Sequence, residues 1–267
     1  MNTIYRLILL LFISFSYSQV KFVSWNLENF GKTKTAENIS FIADILKNYD
    51  VVAIQEVVAG YGGSQAVAKL SDELNRKGAK WDYTISDPTF SSAYKTERYA
   101  FLWKTSTIKK IGKAWLEKKY RLEIDREPFY CTFEYKGKQF TVVNFHAITK
   151  TKQPETEIKY FKFLPALYPK LNLLFVGDFN CPQSHTVFNP LRKQGFTSAF
   201  LNQKTTLKKK CKLNNCLASA FDNIWFDTSK IIVKNSKVIH FYQTFKTLNE
   251  AREISDQIPI TTEILIK

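Results

Sequence analysis

The chain has 267 residues, 45% apolar and 24% charged. That balance excludes a disordered or collagen-like polypeptide, and the length suits one large domain with a real core. With 39 Lys and Arg against 24 Asp and Glu, the formal charge of +15 favours a polyanionic partner (nucleic acid, anionic lipid or lipopolysaccharide) without selecting one.

Met1 to Arg6 carries one positive charge, Leu7 to Ile13 is a short apolar core, and Ser14 to Ser18 supplies small residues for cleavage. This pattern predicts a signal peptide over residues 1–18, its apolar run too short to span a bilayer. Residues 19–267 are then a single secreted or periplasmic domain. No later segment is apolar enough for transmembrane insertion, and a monomer is expected.

Lys21 to Trp25 reads as a strand ending at Asn26. Ile39, Ile42, Ile45 and Leu46 at helical spacing predict a helix over Thr35 to Leu46, followed by a strand from Asp50 to Ile54. Gly60 to Gly63 reads as a loop near the active face, and Val67, Leu70 and Leu74 mark a helix over Ser64 to Arg76. Strands follow at Trp81 to Ser86 and Tyr99 to Trp103. Phe129 to Tyr135 pairs with Gln139 to Phe145 through the turn Lys136-Gly137-Lys138. A helix over Glu155 to Tyr168 precedes a strand at Leu173 to Gly177. The late strands are Ala220 to Phe226, Ile231 to Tyr242 with an interruption near Asn235, and Ile258 to Leu265.

Hairpins between helices argue against a purely parallel, doubly wound sheet. Two packed sheets with helices outside, in the α/β class, fit better. There is neither a Gly-rich dinucleotide fingerprint nor a Walker-type phosphate loop. Cys131, Cys181, Cys211 and Cys216 lack zinc-site spacing, and in an exported chain at least one disulfide is expected. The favoured pairing joins Cys181 to Cys211 or Cys216 and closes the lysine-rich segment between them.

Several apolar strands end in carboxylates, amides or a histidine. Asn26 follows Phe22 to Trp25, Glu56 follows Val51 to Ile54, His146 follows Thr141 to Phe145, and Leu173 to Val176 delivers Gly177-Asp178-Phe179-Asn180. Singly these are ordinary polar strand ends; together they suit hydrolysis of a phosphodiester. That reaction needs neutralised phosphoryl oxygens, an activated water and a stabilised leaving oxygen. Carboxylate and amide oxygens suit magnesium or calcium. Glu56 is the first choice of metal ligand, assisted by Asn26 and Asp256. Glu97 is available to orient the ring of His146 for proton transfer.

In order along the chain stand Trp25-Asn26-Leu27-Glu28-Asn29, Gln55-Glu56, Glu97-Arg98-Tyr99, Arg126-Glu127-Pro128-Phe129, Asn144-Phe145-His146, Gly177-Asp178-Phe179-Asn180, Phe221-Asp222 and Ser255-Asp256. This set resembles the endonuclease/exonuclease/phosphatase superfamily, and within it the deoxyribonuclease I branch. The resemblance implies a four-layered α/β sandwich, two packed mixed β-sheets flanked by helices, with the site at one edge. It implies a divalent-metal-dependent endonuclease of little sequence preference. Mg2+ is the expected cofactor, with Mn2+ as a substitute and Ca2+ as an auxiliary ion. DNA is the expected partner, and another phosphodiester substrate is the alternative.

Residue by residue, the resemblance makes Glu56, Asn26 and Asp256 the metal site. Asp178 and Asn180 would orient water or phosphate, His146 with Glu97 would transfer a proton, and Arg126 would contact the DNA backbone. The family's second proton-transfer pair is matched by Asp222 and, where a histidine is expected, Gln257. Glutamine has no useful titration, so it cannot act as base or cation. Two other readings stay open: a superfamily enzyme acting on phospholipid, phosphosugar or RNA, and a polyanion binder that has lost turnover. The basic segment Lys204 to Lys212 either lies over a phosphate backbone or is a solvated loop.

Overall fold

The computed structural model describes residues 19–91, 95–213 and 215–267; the expected signal peptide at residues 1–18 lies outside them. In chain order the elements are β1 (Val20–Phe30), α1 (Ala36–Leu46), β2 (Val51–Val58), α2 (Tyr61–Arg76), β3 (Trp81–Ile85), β4 (Glu97–Lys104), β5 (Lys109–Leu116), β6 (Phe129–Tyr135) and β7 (Lys138–His146). There follow α3 (Glu155–Ile158), α4 (Leu164–Leu167), β8 (Leu173–Asp178), α5 (Asn189–Lys193), β9 (Phe196–Ser198), β10 (Leu207–Lys212), β11 (Asn215–Leu217), β12 (Asp222–Asp227), β13 (Ile231–Val238), α6 (Leu248–Ile254) and β14 (Ile260–Ile266).

Two mixed sheets pack face to face, in the orders β13-β14-β1-β2-β4-β3 and β5-β6-β7-β8-β12-β9. The pairs β1–β2 and β7–β8 are parallel; they bring the C-terminal ends of four strands to one edge of the sandwich. Phe22, Phe101, Phe133, Phe140 and Val176 fill the space between the sheets. Val23, Trp25 and Ile54 face α1, α2 and α6 on one outer side. Phe145, Phe175 and Trp225 face the short helices on the other. This is the expected four-layered α/β sandwich. Each fully buried Phe contributes roughly 1.5–3 kcal/mol relative to exposure, so the alternating strands stabilise both layers at once.

Local chemistry explains the boundaries. Thr35 caps α1 by accepting the amide of Asn38, and Ile39, Ile42, Ala43 and Leu46 turn inward. The expected loop at Gly60 to Gly63 is instead the N-cap and first turn of α2. Glycine is required there by close approach: a Cβ on Gly63 would stand 2.0 Å from the Val58 carbonyl oxygen. The expected helix over Glu155 to Tyr168 is broken into α3, a 3-10 turn at Phe161–Phe163, and α4. Pro165 has no amide hydrogen to continue the ladder, and its ring crowds the preceding turn.

The strand expected to reach Tyr242 stops at Val238, and a 3-10 turn occupies Phe241–Thr244. The interruption near Asn235 is present, with φ 51° and a register shift between Lys234 and Lys237. The disulfide expectation is corrected. Cys211 pairs with Cys216, their Cα atoms 4.4 Å apart, whereas Cys131 and Cys181 are free and buried. Cys181 packs into the outer core with Phe179 and Phe188, away from the β10–β11 hairpin that aligns the other two. No helix of the described residues is long and apolar enough to cross a membrane.

Candidate active site

Asn26, Glu56, Glu97, His146, Asp178, Asn180, Asp256, Gln257 and Arg126 converge at the sandwich edge, most of them around one open cleft of about 430 Å³. The two sheets are locked together just beneath it. Gln55 Nε2 donates to Asn144 Oδ1 at 2.5 Å and to Ser24 Oγ at 3.1 Å, while Asn144 Nδ2 donates to the Ile54 carbonyl at 3.0 Å. Gly177, at φ 124°, lets β8 pass within contact of the Phe145 carbonyl, where a Cβ would lie 2.0 Å away.

Glu56 is turned into the cleft by a bulge. The β2–β4 register shifts between Ile54 and Val57, and Glu56 takes φ 59°. Its Oε1 accepts Asn26 Nδ2 at 2.9 Å and its Oε2 accepts the Asn29 amide at 3.1 Å. Positive φ in a non-glycine residue costs energy, and here Glu28, Asn29, Glu56 and Asn180 all show it around one cleft.

His146 is buried, with Nδ1 3.0 Å from both oxygens of Glu97. Nε2 faces the cleft, 3.8 Å from Glu56 Oε1 and 3.6 Å from Asp178 Oδ2. Burial works against the imidazolium, but Glu97 outweighs it with help from Asp178, so the histidine pKa rises above its ordinary value. Burial alone would raise Glu97; the charges of His146 and Arg126 hold it below the usual carboxylate range. Tyr99 supports the pair by accepting the His146 amide at 3.1 Å and donating to the Arg126 carbonyl at 3.2 Å.

Arg126 lines the cleft, but its nitrogens are engaged within the protein. Nη1 donates to Glu97 Oε2 at 3.2 Å, Nε to the His146 carbonyl at 3.1 Å, and Nη2 to the Ala147 carbonyl. Glu157 of α3, unforeseen in the sequence, accepts the amides of Asp125 and Ile148 at 2.6 and 2.9 Å. It thereby fixes the segments that carry Arg126 and follow His146.

Asp178 is almost wholly buried and held at both oxygens. The Asn180 amide donates to Oδ1 at 2.8 Å, and Gln257 Nε2 donates to Oδ2 at 2.6 Å. Gln257 is set by backbone: its carbonyl accepts Trp25 Nε1 at 2.8 Å and its amide donates to Ser255 Oγ at 2.9 Å. The glutamine therefore occupies the cleft, and its side chain is hydrogen-bonded to Asp178. Asp222 lies one strand over, opposite Asp178, and among the described residues its Oδ2 and Gln257 Oε1 are buried without a hydrogen-bond partner. Burial, then the Asp178 charge, pushes the Asp222 carboxyl well above its usual range, which favours the neutral form.

Asp256 is pushed up to about 6 by burial and by the charges of Glu28 and Glu56, with Arg252 3.6 Å away opposing them. Lys34, also missed in the sequence, reaches in from the other side. Its ammonium caps the end of α6 by donating to the carbonyls of Glu253 and Ile254 at 2.9 and 2.8 Å. The neighbouring acids offset only part of the burial that lowers its pKa. Glu28, Glu56, Asp178 and Asp256 thus crowd negative charge into one place.

The sequence model of the Endonuclease/Exonuclease/phosphatase family matches residues 23–245. The chain belongs to this family. Among curated relatives, it is 26% identical to a deoxyribonuclease of Thioalkalivibrio sp. over 82% of this chain and 61% of that protein. It is also 26% identical to human deoxyribonuclease gamma, over 95% and 88%. The chain thus spans less than two thirds of the bacterial relative.

Among solved structures, a family protein from Bacteroides thetaiotaomicron superposes with a TM-score of 0.67 at 16% identity, over 94% of this chain and 98% of that one. A mannosyl-6-phosphatase from the same organism gives 0.67 at 18%, over 92% and 99%. These likenesses concern the fold.

Proposed function

We propose that the chain is a divalent-metal-dependent phosphodiesterase that cleaves DNA with little sequence preference, as a monomer outside the cell or in a periplasm. The observation that carries the reading is a buried His146 held by the Glu97 carboxylate and facing Glu56 and Asp178 across an open cleft. The relatives named deoxyribonucleases and the charge of +15 favour DNA as the polyanion. The Cys211–Cys216 disulfide supports an oxidising compartment.

The residues fit a hard divalent ion. Burial first, and then the charges of Glu28 and Glu56, raise Asp256 to about 6, and Arg252 offsets them only in part. Among the described residues no three His, Cys, Asp or Glu side chains form a recognised metal cluster, and Mg2+ needs few protein ligands because it keeps several waters. Glu56, with Asn26 and Asp256, would hold it. When bound, the ion would neutralise charge on the phosphoryl and leaving oxygens.

The chain's own groups divide the remaining work. His146, whose protonated form Glu97 favours, donates from Nε2 to the leaving oxygen. Asp178, fixed at both oxygens by Asn180 and Gln257, orients the attacking water and receives its proton. Gln257 contributes by holding Asp178, and Asp222 stays neutral behind it.

A second reading keeps the chemistry and changes the substrate to a phosphosugar, phospholipid or RNA, or retains polyanion binding without turnover. Gln257 favours it, because an amide supplies no proton where the resemblance expects a histidine. The test is a substrate panel with added Mg2+ and an EDTA control: supercoiled plasmid, single-stranded DNA, RNA, mannose 6-phosphate and phospholipid vesicles. Metal-dependent plasmid nicking faster than every other reaction supports the DNA reading. Phosphate release from the sugar or lipid with intact plasmid replaces it.

A further inference from the structure

The β10–β11 hairpin has no part in the chemistry above, yet it grows from the wall of the cleft. Thr206 lines the cleft and bridges to Gln257, and the Leu207 amide donates to the Asp256 carbonyl at 2.7 Å. Thr205 Oγ accepts the amide of Asp222 at 3.3 Å, while its carbonyl accepts the amide of Ile258 at 2.9 Å. The foot of the hairpin is therefore continuous with the segments that carry Asp222, Asp256 and Gln257.

The hairpin is anchored at both ends. Leu207 is buried in the outer core with Ile254 and Ile258, and its carbonyl accepts Arg252 Nη1 at 3.1 Å. Toward the tip, the Cys211–Cys216 disulfide closes the turn. Between foot and clamp run Lys208, Lys209 and Lys210, the last two exposed. Among the described residues no carboxylate lies within ion-pair distance of these lysines or of Lys204. Three adjacent cations repel one another, and a surface that only needed solubility would gain by interleaving acids. Here the repulsion is held in place by a rooted, cross-linked ribbon, so little ordering entropy remains to be lost on binding.

We propose that this hairpin is a duplex-binding arm, which grips the phosphate backbone of DNA beside the scissile phosphate through Lys208, Lys209 and Lys210. The proposal rests on the nucleic-acid reading of the cleft for the identity of its partner. Strand rise places Lys208 to Lys210 roughly 7–13 Å along the chain from Thr206. With one phosphate per ~3.4 Å of axis on each strand, the arm meets the backbone about two to four phosphates away. Phosphate contacts of this kind position the substrate without reading its sequence. Among the described residues of the tip the exposed apolar side chain is Leu213, which gives a membrane little to bury.

The test separates the arm from the chemistry. In a Glu56→Ala background, Kd for a duplex is measured by fluorescence anisotropy across a salt series, with and without Lys208→Gln, Lys209→Gln and Lys210→Gln together. The expected result is affinity at least tenfold weaker at about 0.1 M salt, with the log–log salt slope reduced by about 0.9 per lysine that meets a phosphate. In the active background, the triple variant keeps hydrolysis of bis(p-nitrophenyl) phosphate within about twofold while losing plasmid nicking.

An unchanged salt slope with duplex binding intact overturns the proposal, as does parallel loss of small-diester hydrolysis. Lysine-dependent binding to anionic vesicles without lysine-dependent duplex binding also overturns it, in favour of a membrane arm. Duplex binding through the lysines in a chain that never cuts DNA would sustain the arm and refute the nuclease reading.

Discussion

Glu97→Gln tests the proton-transfer assignment with its sign fixed in advance. The substitution keeps the shape of the side chain and an acceptor for His146 Nδ1, now 3.0 Å from both carboxylate oxygens, but removes the negative charge. The remaining major influences, burial and the Arg126 charge, both push the histidine pKa down. At a charge separation of about 4 Å and an effective dielectric constant near 20, the lost attraction is about 4 kcal/mol, all of it taken from the protonated form. In the native chain the raised pKa of His146 extends its protonated, general-acid form to higher pH than an ordinary histidine allows. In the variant the protonated form is less populated at neutrality, and kcat/KM for bis(p-nitrophenyl) phosphate falls by roughly 10²-fold or more. Activity returns as the pH is lowered. The assay is the rate profile between about pH 5 and 9. A uniform loss across that range, with the profile unmoved, would refute the general-acid role and leave Glu97 as a packing residue.

The other predictions follow from the same cleft. Gln257→His returns a titratable group to the cleft beside Asp178 and raises kcat/KM about 10²-fold in the same assay; no gain would mean that Asp178 and His146 suffice. In EDTA, the raised pKa of Asp256 contributes stability that is present below about pH 4 and lost as pH rises through about 6. That loss is about 3 kcal/mol in urea titrations. Asp256→Asn removes this slope, and added Mg2+ recovers the stability in the native chain. Gly63→Ala forces a Cβ against the Val58 carbonyl at 2.0 Å and lowers stability by about 3 kcal/mol, read as a lower melting temperature; an unshifted melt would show that α2 slides freely.

The sandwich was legible because its strands announce themselves: Val51 to Ile54 and Leu173 to Val176 are buried on both faces and read as unbroken apolar runs. The strand ends were legible for the same reason, since polar residues directly after such runs have to emerge at an edge. β5 was not legible, because Lys109 to Leu116 is an edge strand with little apolar patterning. Helix α6 carries a local signal of its start, since Thr247 and Glu250 form a capping box.

The site's supporting contacts are tertiary and left no local trace. Trp25 holding the Gln257 carbonyl spans 232 residues, and Lys34 capping α6 spans 220 at its farther contact. The expected pairing of Gln257 with Asp222 came from the family pattern; the packing gives the glutamine to Asp178 instead. The Cys181 expectation failed because sequence distance says nothing about which cysteines a hairpin brings opposite each other.

The central claim is that Glu56 and its neighbours hold a divalent ion for phosphodiester cleavage. Its most direct test is the rate of supercoiled plasmid nicking against added Mg2+, for the native chain and Glu56→Ala. The account predicts saturable, EDTA-reversible nicking by the native chain and loss of at least about 10²-fold in the variant at every Mg2+ concentration. Nicking that ignores Mg2+, or that survives Glu56→Ala unchanged, would contradict it.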